Sequence, residues 1–154
     1  MILTTKTAEL WSQVDFFQPV ELGGRDRLSC PCCGLLELSF EAMKLHDDAR
    51  RLSGVGFWVT EGGGCRCPSY QESLILAGKT RTQPETASHC PRNGNGSSAL
   101  DISVRQPAGG PPSSLRRFSI IRGYVMAGCE RLGVGYQTFI HADWERDLPR
   151  NVAW

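Results

Sequence analysis

The chain has 154 residues, 17 Lys+Arg against 16 Asp+Glu, and a formal net charge of +1. That length fits one domain with a sizeable core, and the near-balanced charge argues against a strongly basic nucleic-acid footprint. Hydrophobic residues at 40% and charged residues at 21% argue against disorder. No apolar run approaches the roughly 20 residues that span a bilayer, so no membrane segment is expected. Met1 to Lys6 leads into no continuous apolar stretch; no signal peptide is expected, and synthesis in a cytoplasm is.

A short helix is expected around Thr7–Val14, with Leu10, Trp11 and Val14 on one side. Leu35, Leu38, Ala42, Leu45, Ala49 and Leu52 step by three and four, which predicts a helix over 35–52 stopped by Ser53-Gly54. His46 lies off that stripe beside Asp47 and Asp48 and reads as solvent-exposed. Val55–Thr60 predicts a strand, being rich in β-branched and aromatic residues. Gly62 to Gly64 then precede Cys65-Arg66-Cys67-Pro68, and Pro68 suits the first turn of a short helix reaching Leu76.

Residues 77–98 read as a long polar loop, a length that is usually functional or disordered. Ala99–Val104 is the next strand. Ser113 or Ser114 caps a second long helix with Leu115, Phe118, Ile121, Val125, Cys129 and Leu132 on one face, ended by Gly133. Val134–Tyr136 and Thr138–Trp144 are expected as the last strands. The order predicts one α+β domain over 1–154, without internal repeats.

Two histidines and one acid stand out. Along a strand, residues i and i+2 share a face, so His141 and Asp143 face together with Phe139, and Asp101 faces with Ala99 and Ser103. An acid between Leu100 and Ile102 needs a partner if it is buried. His89, in the loop before that strand, completes a His/Asp/His set of the type that binds zinc. Such a site leaves a fourth position for water and lowers its pKa.

Four motifs resemble, in order over about 20–145, the zinc D-Ala-D-Ala carboxypeptidase and L-alanyl-D-glutamate endopeptidase family. These are peptidoglycan peptidases, many of them phage endolysins, of the Hedgehog/DD-peptidase fold. The motifs are Leu28-Ser29-Cys30-Pro31-Cys32-Cys33-Gly34, the string from Thr60 to Gln71, Ser88-His89 with Ala99-Leu100-Asp101, and Gly133-Val134-Gly135-Tyr136 with Phe139-Ile140-His141-Ala142-Asp143. The resemblance implies His89, Asp101 and His141 as zinc ligands and places Arg66 in the active site. There its guanidinium would hold a substrate carboxylate or an oxyanion, aimed by the three glycines before it. The insert between His89 and Asp101 is longer than the family's, and its residues 90–98 are expected to bulge out as a flap at the rim of a cleft. Many members place an acid where Thr138 stands. That leaves Asp143 as general base, as the residue that orients His141, or as a plain structural acid, with Glu145 and Glu61 as the next candidates for base.

Cys129 reads as core. Cys30, Cys32, Cys33, Cys65, Cys67 and Cys90 are open to three states: reduced thiols, a structural metal, or disulfides formed after release. The expected function is hydrolysis of a stem-peptide bond in the bacterial cell wall, by a lysis enzyme released from the cytoplasm or carried on a virion. The alternatives are a metal-binding module of the same fold without turnover, such as a structural or tail-assembly protein, and a Cys-rich zinc module contacting nucleic acid. The charge balance disfavours the last.

Overall fold

The computed structural model describes residues 1–106 and 110–145, and the backbone of 152–153. The fold is α+β. Strand β1 (Ile2–Leu3) pairs antiparallel with β2 (Leu38–Ser39), which runs straight into helix α2 (Phe40–Ser53). Helix α1 (Ala8–Trp11) lies between β1 and β2, and α3 (Pro68–Leu76) follows α2. Strand β3 (Leu100–Ser103), helix α4 (Ser114–Met126), β4 (Arg131–Gly133), β5 (Phe139–Asp143) and β6 (Val152–Ala153) complete the chain. The sheet order is β3-β5-β4-β6, antiparallel except between β4 and β6. Among the described residues no helix is long and apolar enough to cross a membrane.

The two long helices pack differently from the stripe reading. Helix α2 starts at Phe40, because Leu38 is committed to β2 and the Ser39 hydroxyl accepts from the Ala42 N–H at 3.2 Å as N-cap. Its buried face carries Ala42, Met43, His46, Asp47 and Ala49, while Leu52 is 37% exposed. Helix α4 buries Ile120, Gly123 and Tyr124 and leaves Leu115, Phe118 and Val125 in solvent. The reason lies at the crossing. A Cβ on Gly123 would come within 2.3 Å of the Ala49 carbonyl oxygen, so α4 meets α2 backbone to backbone, on its glycine side. Helix α4 also stops at Met126, and Leu132 belongs to β4 instead.

His46 is therefore not exposed but fully buried. Its Nδ1 lies 2.9 Å from the Tyr124 hydroxyl and its Nε2 3.3 Å from the Ser98 carbonyl. The Trp144 ring stands edge-on at 4.8 Å. Burial pushes the imidazole down to about 3, so it is neutral: Tyr124 donates to Nδ1 and Nε2–H donates to Ser98.

Residues 55–60 form no regular strand. Val59 makes a single bridge to Ile102 of β3, and its N–H is turned away to the Asp26 carboxylate at 2.9 Å. Asp26 is buried, which raises its carboxyl to about 6. The strand expected over 134–136 lies earlier, since β4 covers 131–133 and residues 134–136 form the connection to β5, whereas β5 falls within the expected 138–144. Leu28, Leu38, Phe57, Leu100, Ile102 and Ile140 form the core between helices and sheet.

Candidate metal centre

The sheet register builds the site. Asp101 of β3 stands directly opposite His141 of β5, and Asp143 follows on the same face as His141. His89 is brought in by the loop before β3, whose backbone is tied to the glycine run: Arg66 N–H donates to the His89 carbonyl at 2.8 Å. The glycines are needed here because a Cβ on Gly63 would fall 2.9 Å from the Asp101 backbone, and one on Gly64 would fall 2.3 Å from the Leu28 carbonyl.

His89, Asp101 and His141 thus converge, as the sequence implied. His89 Nε2 lies 3.3 Å from Asp101 Oδ1 and 3.2 Å from His141 Nδ1, and His141 Nδ1 lies 2.9 Å from Asp101 Oδ1. Bonds of about 2.0–2.1 Å at tetrahedral angles give edges of about 3.3 Å, so these three atoms fit one face of a metal tetrahedron.

Each ligand is fixed by its other polar atom. His89 Nδ1–H donates to the Gly64 carbonyl at 2.8 Å, which leaves Nε2 as the free electron pair. Asp101 Oδ2 accepts from Arg66 Nη2 at 2.6 Å, which leaves Oδ1. His141 Nε2–H donates to Asp143 Oδ2 at 2.9 Å, which leaves Nδ1. Asp143 is fully buried, and its oxygens also accept from Arg131 Nε at 2.8 Å, Glu145 N–H at 3.0 Å and Ser88 Oγ at 3.3 Å.

The electrostatics follow from these contacts. Burial alone raises a carboxyl, but the imidazoles of His89 and His141 hold Asp101 well below the usual range. His141 likewise holds Asp143 down against its burial. Burial lowers His89, whereas His141, also penalised by burial, is lifted to about 9 by Asp101 and Asp143.

Arg66 does not make a surface salt bridge. Its Nε donates to the Gly62 carbonyl at 2.8 Å and its Nη1 to Gln71 Oε1 at 3.3 Å, so with Asp101 three of its five donors are used within the site. A cleft of about 690 Å³ opens over the centre, lined by Arg66, Ser88, His89, Asp101 and His141 and by Glu61, Tyr70, Lys79, Tyr136 and Thr138. Among the described lining residues the carboxylates are Asp101 and Glu61. Glu145 is not on β5, which ends at Asp143; it pairs with Arg92 at 2.6 Å.

The 90–98 insert does not form the rim. Arg92 and Asn95 bond to each other around Asn93 and Gly94, both at positive φ, in a tight turn. Ser97 is held against β2, donating to the Glu37 carbonyl at 2.8 Å and accepting from Ser39 N–H at 2.8 Å. The wall of the cleft comes instead from Lys79, Thr80, Thr82 and Thr86 of the preceding loop.

All seven cysteines are free, and Cys129 is largely buried under β4 and β5 with its thiol pushed up to about 12 by burial. Cys30, Cys33 and Cys67 form a second group able to hold a metal ion. Compared with family models, with characterised proteins and with solved structures, the chain matches none.

Proposed function

We propose that this protein is a zinc-dependent peptidase of the D-Ala-D-Ala carboxypeptidase and L-alanyl-D-glutamate endopeptidase type, with the Hedgehog/DD-peptidase fold, acting on the stem peptide of bacterial peptidoglycan as a phage-type endolysin or virion-borne lysis protein. The observation that carries the metal reading is the pinning of all three ligands by their second polar atoms, toward Gly64, Arg66 and Asp143. A bound zinc ion would polarise the scissile carbonyl and lower the pKa of a water at its open position. The peptidase reading adds the four sequence motifs and the open cleft above the centre.

In this reading the chain's own residues divide the work. Asp143 positions His141, since its oxygens are saturated behind the ring. Arg66 fixes Asp101 and turns its remaining donors toward a substrate oxygen. Glu61, the lining carboxylate that is not a ligand, takes and returns the proton, in place of the acid that Thr138 lacks.

Purified protein is expected to release soluble peptides or D-alanine from peptidoglycan, to stop with a chelator and to recover with zinc. Glu61→Gln is expected to keep the metal and lose most turnover. A second reading, a metal-holding module without turnover, is favoured by Thr138 and by the inward-facing Asp143. It stands if a zinc-loaded protein leaves peptidoglycan intact.

A further inference from the structure

Cys30, Cys33 and Cys67 come from two distant stretches, yet their sulfurs lie within 4.8 Å of one another. Taken in the pairs Cys30-x-Cys32 and Cys65-x-Cys67, the sequence hides a C-x₂-C spacing between Cys30 and Cys33, the spacing that thiolate metal sites use. The loop between them is closed like a knuckle. Gly34 N–H donates to the Cys30 carbonyl at 2.8 Å and Cys30 N–H to the Leu35 carbonyl at 2.8 Å, with Gly34 at φ +74.

That fold aims amide donors at sulfur. Cys67 N–H donates to Cys30 Sγ at 3.3 Å, and Tyr70 N–H to Cys67 Sγ at 3.4 Å. Cys67 is the N-cap of α3, where the helix dipole favours negative charge. Amide donors favour thiolate over thiol, and three thiolates this close repel one another unless a cation sits among them.

We propose that Cys30, Cys33 and Cys67 hold a structural divalent metal ion of the thiolate-preferring class, zinc foremost, which clamps the 30–34 loop onto the N-terminus of α3. Binding replaces the thiol protons, which pass to solvent. Exposed Cys32 and buried Cys90 lie outside the 4.8 Å group, so three protein sulfurs are the ligand set and the fourth position is open to water. This site does not depend on the function of the His89/Asp101/His141 centre.

The test is Co(II) loading of the full-length reduced chain carrying His89→Ala and His141→Ala. One equivalent of Co(II) is expected to give sulfur-to-metal charge-transfer absorption in the near ultraviolet, and one equivalent of Zn(II) to remove it. Cys30→Ser and Cys67→Ser should each lose the absorption and Cys32→Ser should keep it. If the double histidine variant does not fold, the unmodified chain serves, because imidazole and carboxylate ligands give no sulfur charge transfer. Absence of the absorption in folded, reduced protein, its survival in Cys67→Ser, or a disulfide between any two of the three in protein isolated from the cytoplasm would overturn the proposal.

Discussion

The His89/Asp101/His141 centre and the Cys30/Cys33/Cys67 group each gather three ligand atoms into a space a few ångströms across, by different means. The first is set by strand register, with Asp101 opposite His141, and two of its three ligands are held by charged side chains. The second is set by a closed loop and a helix cap, and the sulfurs of Cys30 and Cys67 accept from backbone amides. The first lies under an open cleft, which the three cysteines do not line. A carboxylate partner raises the basicity of a ligating imidazole, and amide donors favour thiolate over thiol at the sulfurs. The contrast therefore separates a centre open to a ligand from a group that joins the 30–34 loop to the N-cap of α3.

Four measurements break or sharpen that contrast. The largest effect belongs to His141→Ala. It removes a ligand and the hydrogen-bond partner of Asp143, so metal content at this centre and peptidoglycan hydrolysis should both fall to the level of the chelated protein. Retained hydrolysis would place the chemistry elsewhere.

Cys67→Ser should do the opposite and weaken the fold while sparing the chemistry. A metal present at about 100 times its Kd adds about 2.7 kcal/mol, so its loss should lower Tm by roughly 5–10 °C. Hydrolysis at 25 °C should persist, and calorimetry beside an activity assay reads both.

Asp143→Asn keeps the shape but weakens the acceptor on His141, and metal affinity at that centre should drop by about 10–100-fold. If affinity is unchanged and turnover alone disappears, Asp143 moves a proton rather than positioning the imidazole. Chelator competition separates the two.

His46 supplies a control outside both centres. Its pKa is about 3 when folded and near 6.5 when free, so between those values the unfolded chain binds a proton that the folded chain refuses. Its contribution to stability is full above about 6.5 and is lost as pH falls toward 3, at roughly 1.4 kcal/mol per pH unit. Relative to His46→Gln, the native protein should lose stability by about that slope in chemical denaturation, which also cancels the opposite trend of Asp26.

The centre was more legible in the sequence than the packing around it. Period-two alternation put His141 and Asp143 on one face, and the structure keeps that arrangement. What alternation cannot show is which atom of each ligand is free, because that is decided by the Gly64 carbonyl and by Arg66 from another part of the chain. The helices were misread for a related reason. Counting large apolar residues favoured Leu115, Phe118 and Val125, but the closest contact with α2 is made by Gly123, which has no side chain to count. His46 was read as exposed because its partners Tyr124 and Ser98 are remote in sequence. The sequence leaves a structural metal open for six cysteines without singling out three, because the closure of Cys67 onto Cys30 and Cys33 joins stretches more than thirty residues apart.

The split use of Asp101, one oxygen toward the metal position and one on Arg66, fixes the sign of the field in the cleft. A divalent ion with two neutral imidazoles and one carboxylate carries a net charge of +1, and Arg66 shares that single carboxylate. Arg131 is matched by Asp143, and Lys79 and Glu61 both line the cleft. With a divalent metal bound as proposed, the floor of the cleft would be positive although the whole chain is close to neutral. An anionic ligand, such as a peptide ending in a carboxylate, would be drawn in by a local field rather than by overall charge. Its association rate would fall as added salt shortens the Debye length below about 10 Å, while a neutral ligand of the same size would enter at a rate that salt leaves unchanged.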